Sequence, residues 1–352
     1  MSKVLKTALP SGFASRMVQW QQTHGRHGLP WQDTRDPYRV WLSEIMLQQT
    51  QVSTVLDYYP RFLQHFPTVQ ALAQASQDAV LGLWSGLGYY SRARNLHRCA
   101  QDVVARFAGV FPSDPHDLQS LPGIGRSTAA AIAAFCFGQR AAILDGNVKR
   151  VLTRVLAYDA DLSVGANERA LWDVAEQLLP RRDLLHSMPR YTQALMDLGA
   201  TVCLPRRTDC LLCPVHDLCA GREQGDPLKF PVKTRKIKRS SESWWLLQIT
   251  NPQGQVWLER RPEHGIWASL YSLPMLSRPE DVAPLIPADQ ARVDAPAFVH
   301  VLTHKDLHLH AVRVEWTRRE SPSAGSHGSW MSHSQWQSLG LPAPIRALLE
   351  KA

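Results

Sequence analysis

The chain of 352 residues lacks any apolar run long enough to cross a membrane. Its longest weakly polar stretch, residues 128–138, is about half of the roughly 20 residues that a spanning helix requires. Residues 1–20 contain no acidic residue, yet they also lack the apolar core of a secretory signal peptide. We therefore expect an intracellular protein.

Cysteine is scarce, with six residues in all, and most of them are crowded into one short segment near residue 210. Cys99 and Cys136 stand alone in helical patterns, which is typical of buried structural thiols. In an intracellular protein the crowded set indicates a metal centre rather than disulfides. Four thiolates can surround either a zinc ion or a [4Fe–4S] cluster, and the spacing alone leaves both open for Cys203, Cys210, Cys213 and Cys219.

Acidic residues are outnumbered by basic ones, 31 to 39, so the chain has a formal net charge of +8 at neutral pH. A positive balance of this kind suits a polyanionic partner, and nucleic acid is the first candidate. The length favours two domains, and the hydrophobic fraction of 44% is sufficient for a packed core in each.

The two halves of the chain have different hydrophobic periods. Apolar residues recur at intervals of three to four in segments 18–20, 40–47, 69–83, 128–137, 148–156, 169–179 and 191–198, with turn signals between them. An alternating pattern, typical of strands, follows in segments 244–250, 255–260, 297–302 and 307–316. We predict an all-α first domain at 1–225 and an α+β second domain with a sheet at 243–352.

A basic segment separates the two predicted domains. Residues 229–239 contain six lysines and arginines and no acid. We interpret residues 226–242 as a linker, and such a linker can also lie along DNA phosphates.

A glycine-rich hairpin precedes the Ala-rich helical pattern at 128–137. In Leu-Pro-Gly-Ile-Gly-Arg-Ser-Thr, Gly123 and Gly125 allow a tight turn whose backbone N–H groups can approach a DNA phosphate. A glycine cap of a helix is the simpler alternative. The flanking Leu-Pro and Arg-Ser-Thr favour a helix-hairpin-helix motif.

Two carboxylates have settings that suggest catalysis. Glu44 is an acid within an apolar helical segment, so burial should raise its pKa and keep a proton available for donation. Asp145 immediately precedes a helix, where a simple N-cap is the alternative to a catalytic role. Together they form the acid and anion that cleavage of a glycosidic bond requires.

Two polar or aromatic segments are candidate DNA contacts. Tyr89 lies among glycines and arginines in residues 86–95, a composition that suits a loop inserted into a base stack. Gln48 and Gln49 follow the Glu44 helix and could contact bases through their amides. A packed helix start and an exposed turn are the respective alternatives.

These features, in this order, resemble the helix-hairpin-helix DNA glycosylases that have a C-terminal iron–sulfur cluster. The resemblance covers about residues 13–220 and is closest to the endonuclease III and A/G-specific adenine DNA glycosylase branches. It implies one [4Fe–4S] cluster on the four crowded cysteines. It also implies a monomeric bacterial protein of the cytoplasm, associated with the nucleoid, whose partner is duplex DNA containing adenine opposite 8-oxoguanine or guanine.

Several residues are similar to the adenine branch in particular. Ser127 occupies the position of the lysine that attacks the sugar in bifunctional relatives, and a hydroxyl cannot form that Schiff base. The resemblance also implies that Gln193, together with Leu29 and Trp31 of a Leu-Pro-Trp segment, contacts the flipped adenine. Asn147 would orient the sugar-stabilising aspartate, and Tyr89 and Gln49 would fill the gap in the stack.

The second domain resembles the MutT/Nudix-like domain by which this family senses 8-oxoguanine. Thr303 and His304 match the lesion-sensing loop, although Leu302 and Thr303 depart from its usual Phe-Ser pair. The acidic Nudix catalytic box is absent, so we expect recognition rather than hydrolysis. The alternatives are an endonuclease III-like glycosylase for oxidised pyrimidines, a non-catalytic DNA-binding or redox-sensing protein, and a Nudix hydrolase with a helical appendage.

Overall fold

A computed structural model describes residues 9–235, 238–322 and 328–351 of the chain. Backbone contacts divide these residues into two units. One unit comprises residues 9–73 and 98–235, and the other comprises residues 74–97 together with the described residues from 238 onward. Lys236, part of the basic segment, lies outside the described residues. No helix in the described ranges is long and apolar enough to cross a membrane.

The described chain before residue 235 is helical, as predicted. The helices are α1 Phe13–His24, α2 Pro37–Leu47, α3 Val52–His65, α4 Val69–Gln74, α5 Gln77–Leu83, α6 Ser91–Phe107, α7 Pro115–Gln119, α8 Arg126–Phe137, α9 Gly146–Val155, α10 Gly165–Gln177, α11 Leu184–Thr201 and α12 Ala220–Glu223. Short 3₁₀ turns lie between α11 and α12 at Cys210–Leu212 and His216–Leu218, and after α12 at Pro227–Lys229.

Side-chain caps determine where several of these helices begin. Asp36 accepts a hydrogen bond from Tyr38 N (2.9 Å) at the start of α2, and Asp114 does the same for α7. The prediction of one continuous helical segment at 69–83 is wrong. Ser76 caps α5 by accepting from Ala79 N (3.2 Å), and this local bond, worth about 1 kcal/mol, separates α4 from α5.

Small residues bring the helices around the site close together. Ala130, Ala131 and Ala134 of α8 are at most 3% exposed and belong to one buried cluster with side chains of α9, α10 and α11. Gly199 of α11 is required by contact with α9, because a Cβ atom there would lie 2.6 Å from the Cβ of Asn147. This packing fixes the start of α9 against the last turn of α11.

The second unit contains the predicted sheet. Its strands are β1 Ser240–Thr250, β2 Val256–Arg260, β3 Tyr271–Ser272, β4 Met275–Leu276, β5 Arg292–Asp294, β6 Phe298–Val301, β7 Lys305–Glu315 and β8 Gly328–Met331. The strand order is β3-β2-β1-β7-β5, with β1 and β7 parallel from Ser240↔Lys305 to Thr250↔Glu315. All four predicted strands and the hairpin turn between β1 and β2 are confirmed.

Both faces of the central strands are covered. Leu246, Leu307 and Leu309 pack with side chains of the terminal helices α13 His333–Gln337 and α14 Ala343–Leu349. On the opposite face, apolar residues of the same strands pack with the loop around Val282. The α+β prediction for this part of the chain is therefore confirmed.

Residues 74–97 pack within this second unit, which the sequence did not indicate. Asp78 of α5 forms an ion pair with Arg260 (3.0 Å) and accepts from the Tyr271 hydroxyl (3.2 Å). The Tyr90 hydroxyl donates to Leu341 O (2.7 Å). Gly82 approaches Ser338 so closely that a Cβ atom would lie 2.0 Å from its carbonyl oxygen.

Candidate active site

One cavity of about 1090 Å³ in the helical unit contains most of the predicted active-site residues. The loop before α2, the end of α2 and the starts of α8 and α9 contribute to its walls, as does the middle of α11. The predicted residues that line it are Leu29, Trp31, Glu44, Gln48, Gln49, Ser127, Asp145, Asn147 and Gln193. Gly123, Gly125, Tyr89, Thr303 and His304 lie elsewhere.

Glu44 is a partly buried acid in α2, and its apolar neighbours in the sequence are buried. Trp41, Leu42, Ile45 and Met46 are at most 3% exposed. Burial raises the pKa of Glu44 from 4.5 to about 8, and the negative charge of Asp145 acts in the same direction. The predicted rise in the Glu44 pKa is confirmed, and at neutral pH this carboxyl holds a proton that it can donate.

Asp145 is the N-cap of α9 and also lines the cavity. Its Oδ1 accepts from Val148 N (2.8 Å), so the simpler interpretation, a helix cap, is correct for one of its oxygens. The preceding Leu144 N donates to Ser127 Oγ (3.1 Å). The Ser127 hydroxyl therefore holds the backbone beside Asp145 in place.

Arg150 connects the cavity wall with the cysteine-rich segment. Its Nη2 donates to Asn147 Oδ1 (2.7 Å), and its Nε donates to the carbonyl oxygen of Cys203 (2.7 Å). Sequence reasoning missed this residue. The only available signal was its spacing, since it lies three residues after Asn147 on the same helix face.

The remaining wall near α11 is polar and tightly hydrogen-bonded. Gln193 Nε2 donates to Asp197 Oδ1 (2.8 Å), and Arg26 Nε donates to the same oxygen (2.6 Å). Trp31 is buried edge-to-face against Tyr59, with 5.5 Å between ring centroids. This wall therefore combines an aromatic ring with an amide of fixed orientation.

The glycine-rich hairpin has the predicted local geometry. Gly123 has a φ of +77°, a left-handed conformation that favours glycine, and Gly125 is the exposed N-cap of α8. A Cβ atom at Gly125 would meet no atom within 4 Å, so open space surrounds this backbone. The adjacent Arg126 stacks on Trp172, 4.1 Å from the ring centroid.

The two residues predicted to fill the base stack both have left-handed backbones. Gln49, just after α2, has a φ of +56°, and Tyr89 has a φ of +48° with 46% of its surface exposed. Non-glycine residues adopt this conformation rarely, and strain of this kind is concentrated at functional sites. Gln48, next to Gln49, donates to Thr128 Oγ1 (3.5 Å).

Thr303 and His304 lie in the turn between β6 and β7. Leu302 N donates to Lys305 O (2.8 Å) and closes this turn. Within the second unit the Thr303 hydroxyl is hydrogen-bonded to the Tyr89 hydroxyl (2.9 Å). Thr303, predicted to sense the opposite strand, is therefore in contact with Tyr89, predicted to enter the base stack.

The four crowded cysteines line one small cavity beside α9. Buried Arg154 donates to Cys203 Sγ (3.2 Å) and to Leu204 O (2.7 Å), which orders the first part of this segment. In the described residues, no three His, Cys, Asp or Glu side chains form a group that could hold a single metal ion. Four thiols around one cavity nevertheless fit the donor set of an iron–sulfur cluster.

Comparisons of the sequence with family models and with known proteins indicate the same family. Residues 42–177 match the model of the HhH-GPD superfamily of base excision DNA repair proteins, and residues 245–351 match a NUDIX domain. The adenine DNA glycosylase of Buchnera aphidicola subsp. Baizongia pistaciae is 34% identical over 345 residues, which cover 96% of each chain. The chain belongs to the adenine DNA glycosylase family.

Other relatives match about three fifths of the chain. The Homo sapiens adenine DNA glycosylase is 46% identical over 224 residues, covering 61% of this chain and 40% of the human protein. A solved thermostable thymine-DNA glycosylase is 28% identical with a TM-score of 0.52, covering 60% of this chain and 95% of that one. The predicted helix-hairpin-helix glycosylase fold and the Nudix-like second domain are thus confirmed.

Proposed function

We propose that the protein removes adenine from mispairs with 8-oxoguanine or guanine in duplex DNA and leaves an abasic site. Glu44 and Asp145 support this most directly. Both line one cavity, and the raised pKa of Glu44 gives the pair one protonated and one anionic member. Cleavage of a glycosidic bond with an oxocarbenium-like transition state uses such a pair.

The proposed reaction moves one proton and breaks one C–N bond. The Glu44 carboxyl delivers its proton to N7 of the extruded adenine, and the bonding electrons between the sugar C1′ and N9 leave with the base. Asp145 stabilises the positive charge that develops on the sugar. A water molecule then adds its hydroxide to C1′, and its remaining proton returns to Glu44.

Neighbouring residues orient these two groups. Asn147, held by Arg150, would position Asp145, which is already fixed as the cap of α9. Ser127 has no amine, so attack on the sugar through a Schiff base is not available at this position. We therefore propose a monofunctional glycosylase that does not nick the strand.

The proposed DNA contacts include exposed backbone, exposed side chains and residues of the cavity wall. Backbone N–H groups at Gly123 and Gly125 would bind a phosphate. Gln49 and Tyr89 would occupy the space left by the extruded base, with Gln48 beside them. Leu29, Trp31 and Gln193 would contact the adenine, and Thr303 and His304 would contact the opposite base.

We propose that Cys203, Cys210, Cys213 and Cys219 hold one [4Fe–4S] cluster, which would order residues 203–219. Iron and sulfide analysis of the purified protein tests this, with four of each per chain expected for one cluster. We further propose a monomer of the bacterial cytoplasm associated with the nucleoid. We retain domain limits of 1–225 and 243–352 around the basic linker at 226–242.

A labelled duplex with one adenine opposite 8-oxoguanine tests the proposed reaction. The products are separated with and without treatment in hot alkali. A strand break that appears only after alkali supports adenine excision by a monofunctional enzyme. A break without alkali contradicts the argument from Ser127, and no break in either case favours pyrimidine repair or a non-catalytic DNA-binding protein.

A further inference from the structure

A hydrogen-bonded set of Arg26, Asp197 and Gln193 borders the cavity and bears on which base it accepts. Asp197, on α11, is fully buried (0% exposed). Its Oδ2 accepts from the backbone N of Arg26 (2.9 Å), and its Oδ1 accepts from Arg26 Nε (2.6 Å). In this ion pair Asp197 is a carboxylate, which can accept hydrogen bonds but has none to donate.

This chemistry determines how the Gln193 amide is turned. Gln193 lies one helical turn before Asp197 and donates through Nε2 to Asp197 Oδ1 (2.8 Å). Since a carboxylate can only accept, the amide must direct its NH₂ group toward Asp197. The Oε1 branch is then on the opposite side of the amide, available to the cavity that Gln193 lines.

We propose that Asp197 is a positioning residue for base selection, acting through Gln193. It keeps a hydrogen-bond acceptor facing the base. Adenine has a donor at this edge, its N6 amino group, whereas guanine and hypoxanthine have an acceptor oxygen at C6. The inference rests on the proposed excision of adenine and on the proposed contact between adenine and Gln193.

Asp197→Asn tests this with two substrates. Because the backbone N–H of Arg26 cannot turn away, the introduced asparagine should keep its oxygen on that N–H and direct its NH₂ toward Gln193, and Arg26 Nε then loses its acceptor. The Gln193 amide should then turn and face adenine N6 with a donor. Single-turnover excision opposite 8-oxoguanine is measured for adenine and for unsubstituted purine, which has no group at C6. The adenine-to-purine rate ratio should fall about tenfold, the effect of one lost hydrogen bond.

Two further variants separate positioning from folding. Gln193→Ala should lower the same ratio, and adding Asp197→Asn to it should lower the ratio no further. Asp197→Asn combined with Gln193→Glu exchanges amide and acid, so the introduced asparagine can donate to the introduced glutamate, and one carboxylate oxygen still faces the base. This exchange should restore the adenine-to-purine ratio. It also tests the positioning role of Asp197 if the single variant Asp197→Asn folds poorly.

A matched control is Asp102→Asn, which removes an aspartate from an exposed ion pair with Arg106 (3.6 Å) on α6. Its ratio should equal that of the wild type. A low ratio in Asp197→Asn with recovery in the exchanged pair supports the proposal. If Gln193→Ala lowers the ratio but the exchanged pair remains as low, the positioning role of Asp197 is overturned. An unchanged ratio in Gln193→Ala overturns it together with the adenine contact, and a wild type that excises neither base opposes the proposed function itself.

Discussion

Replacing Glu44 with glutamine should abolish excision and, at neutral pH, stabilise the fold. The amide has the same size and remains neutral at every pH. The pKa of Glu44 rises from 4.5 to about 8 on folding, because burial and the charge of Asp145 disfavour the carboxylate. The folded chain therefore binds this proton more tightly than the unfolded chain does. The stabilisation from this proton is complete below about pH 4.5 and is lost as the pH rises toward about 8.

The magnitude follows from the size of this pKa difference. A rise of about 3.5 pH units corresponds to about 5 kcal/mol when Glu44 is fully ionised, and to about 3 kcal/mol at about pH 7. Glu44→Gln avoids this loss. Its free energy of unfolding, relative to that of the wild type, should therefore increase by about 3 kcal/mol between about pH 4.5 and about pH 7.

Denaturant unfolding followed by the circular dichroism of the helices measures this difference at matched pH. Glu223→Gln changes an exposed glutamate of the same unit and should follow the wild type at every pH. A stability difference between Glu44→Gln and wild type that stays constant with pH, or that decreases, would refute the assigned burial of Glu44.

Three other substitutions test the site and the cysteine segment. Asp145→Asn can still accept the hydrogen bond from Val148 N, so the fold should be kept while single-turnover excision falls by at least about a hundredfold; near-normal excision would reduce Asp145 to a cap. Ser127→Lys removes the acceptor of Leu144 N, so it should lose about 1 kcal/mol of stability, and borohydride should trap a covalent DNA complex that wild type does not form. Cys213→Ser should lower the iron content of the purified protein, whereas Cys136→Ser, at a buried position outside the cluster segment, should leave it unchanged.

Local patterns explain how much of the architecture could be predicted. Apolar spacing placed helices around Glu44 and after Asp145, and alternation placed β1, β2, β6 and β7, because burial on one face imposes those periods. The direction of the shift in the Glu44 pKa was also predictable, since an acid within a largely apolar helical segment loses part of its hydration on folding.

Other features depend on contacts between distant residues. The break between α4 and α5 depends on one capping bond from Ser76, which the apolar spacing of the segment conceals. The α3 helix was not among the predicted segments, although its buried residues Val55, Tyr59 and Phe62 recur at intervals of four and three. The packing of residues 74–97 with the sheet depends on Asp78 meeting Arg260 and Tyr271, residues about 180 and 190 positions away.

Two residues of the candidate site were missed for the same reason. Arg150 and Asp197 are ordinary charged residues on amphipathic helices when only the sequence is considered. Their importance comes from partners on other segments, Cys203 for Arg150 and Arg26 for Asp197. Spacing along a helix identifies neighbours on that helix but not partners on another.

The most direct test of the central claim is the pH dependence of single-turnover adenine excision opposite 8-oxoguanine, measured for wild type and Glu44→Gln. A group that must be protonated to act loses activity as the pH rises through its pKa. Wild-type excision should therefore fall as the pH passes about 8, and Glu44→Gln should remain at background throughout. Wild-type activity that persists well into alkaline pH, or a Glu44→Gln variant that excises adenine at a normal rate, would contradict the assignment of Glu44 as the acid.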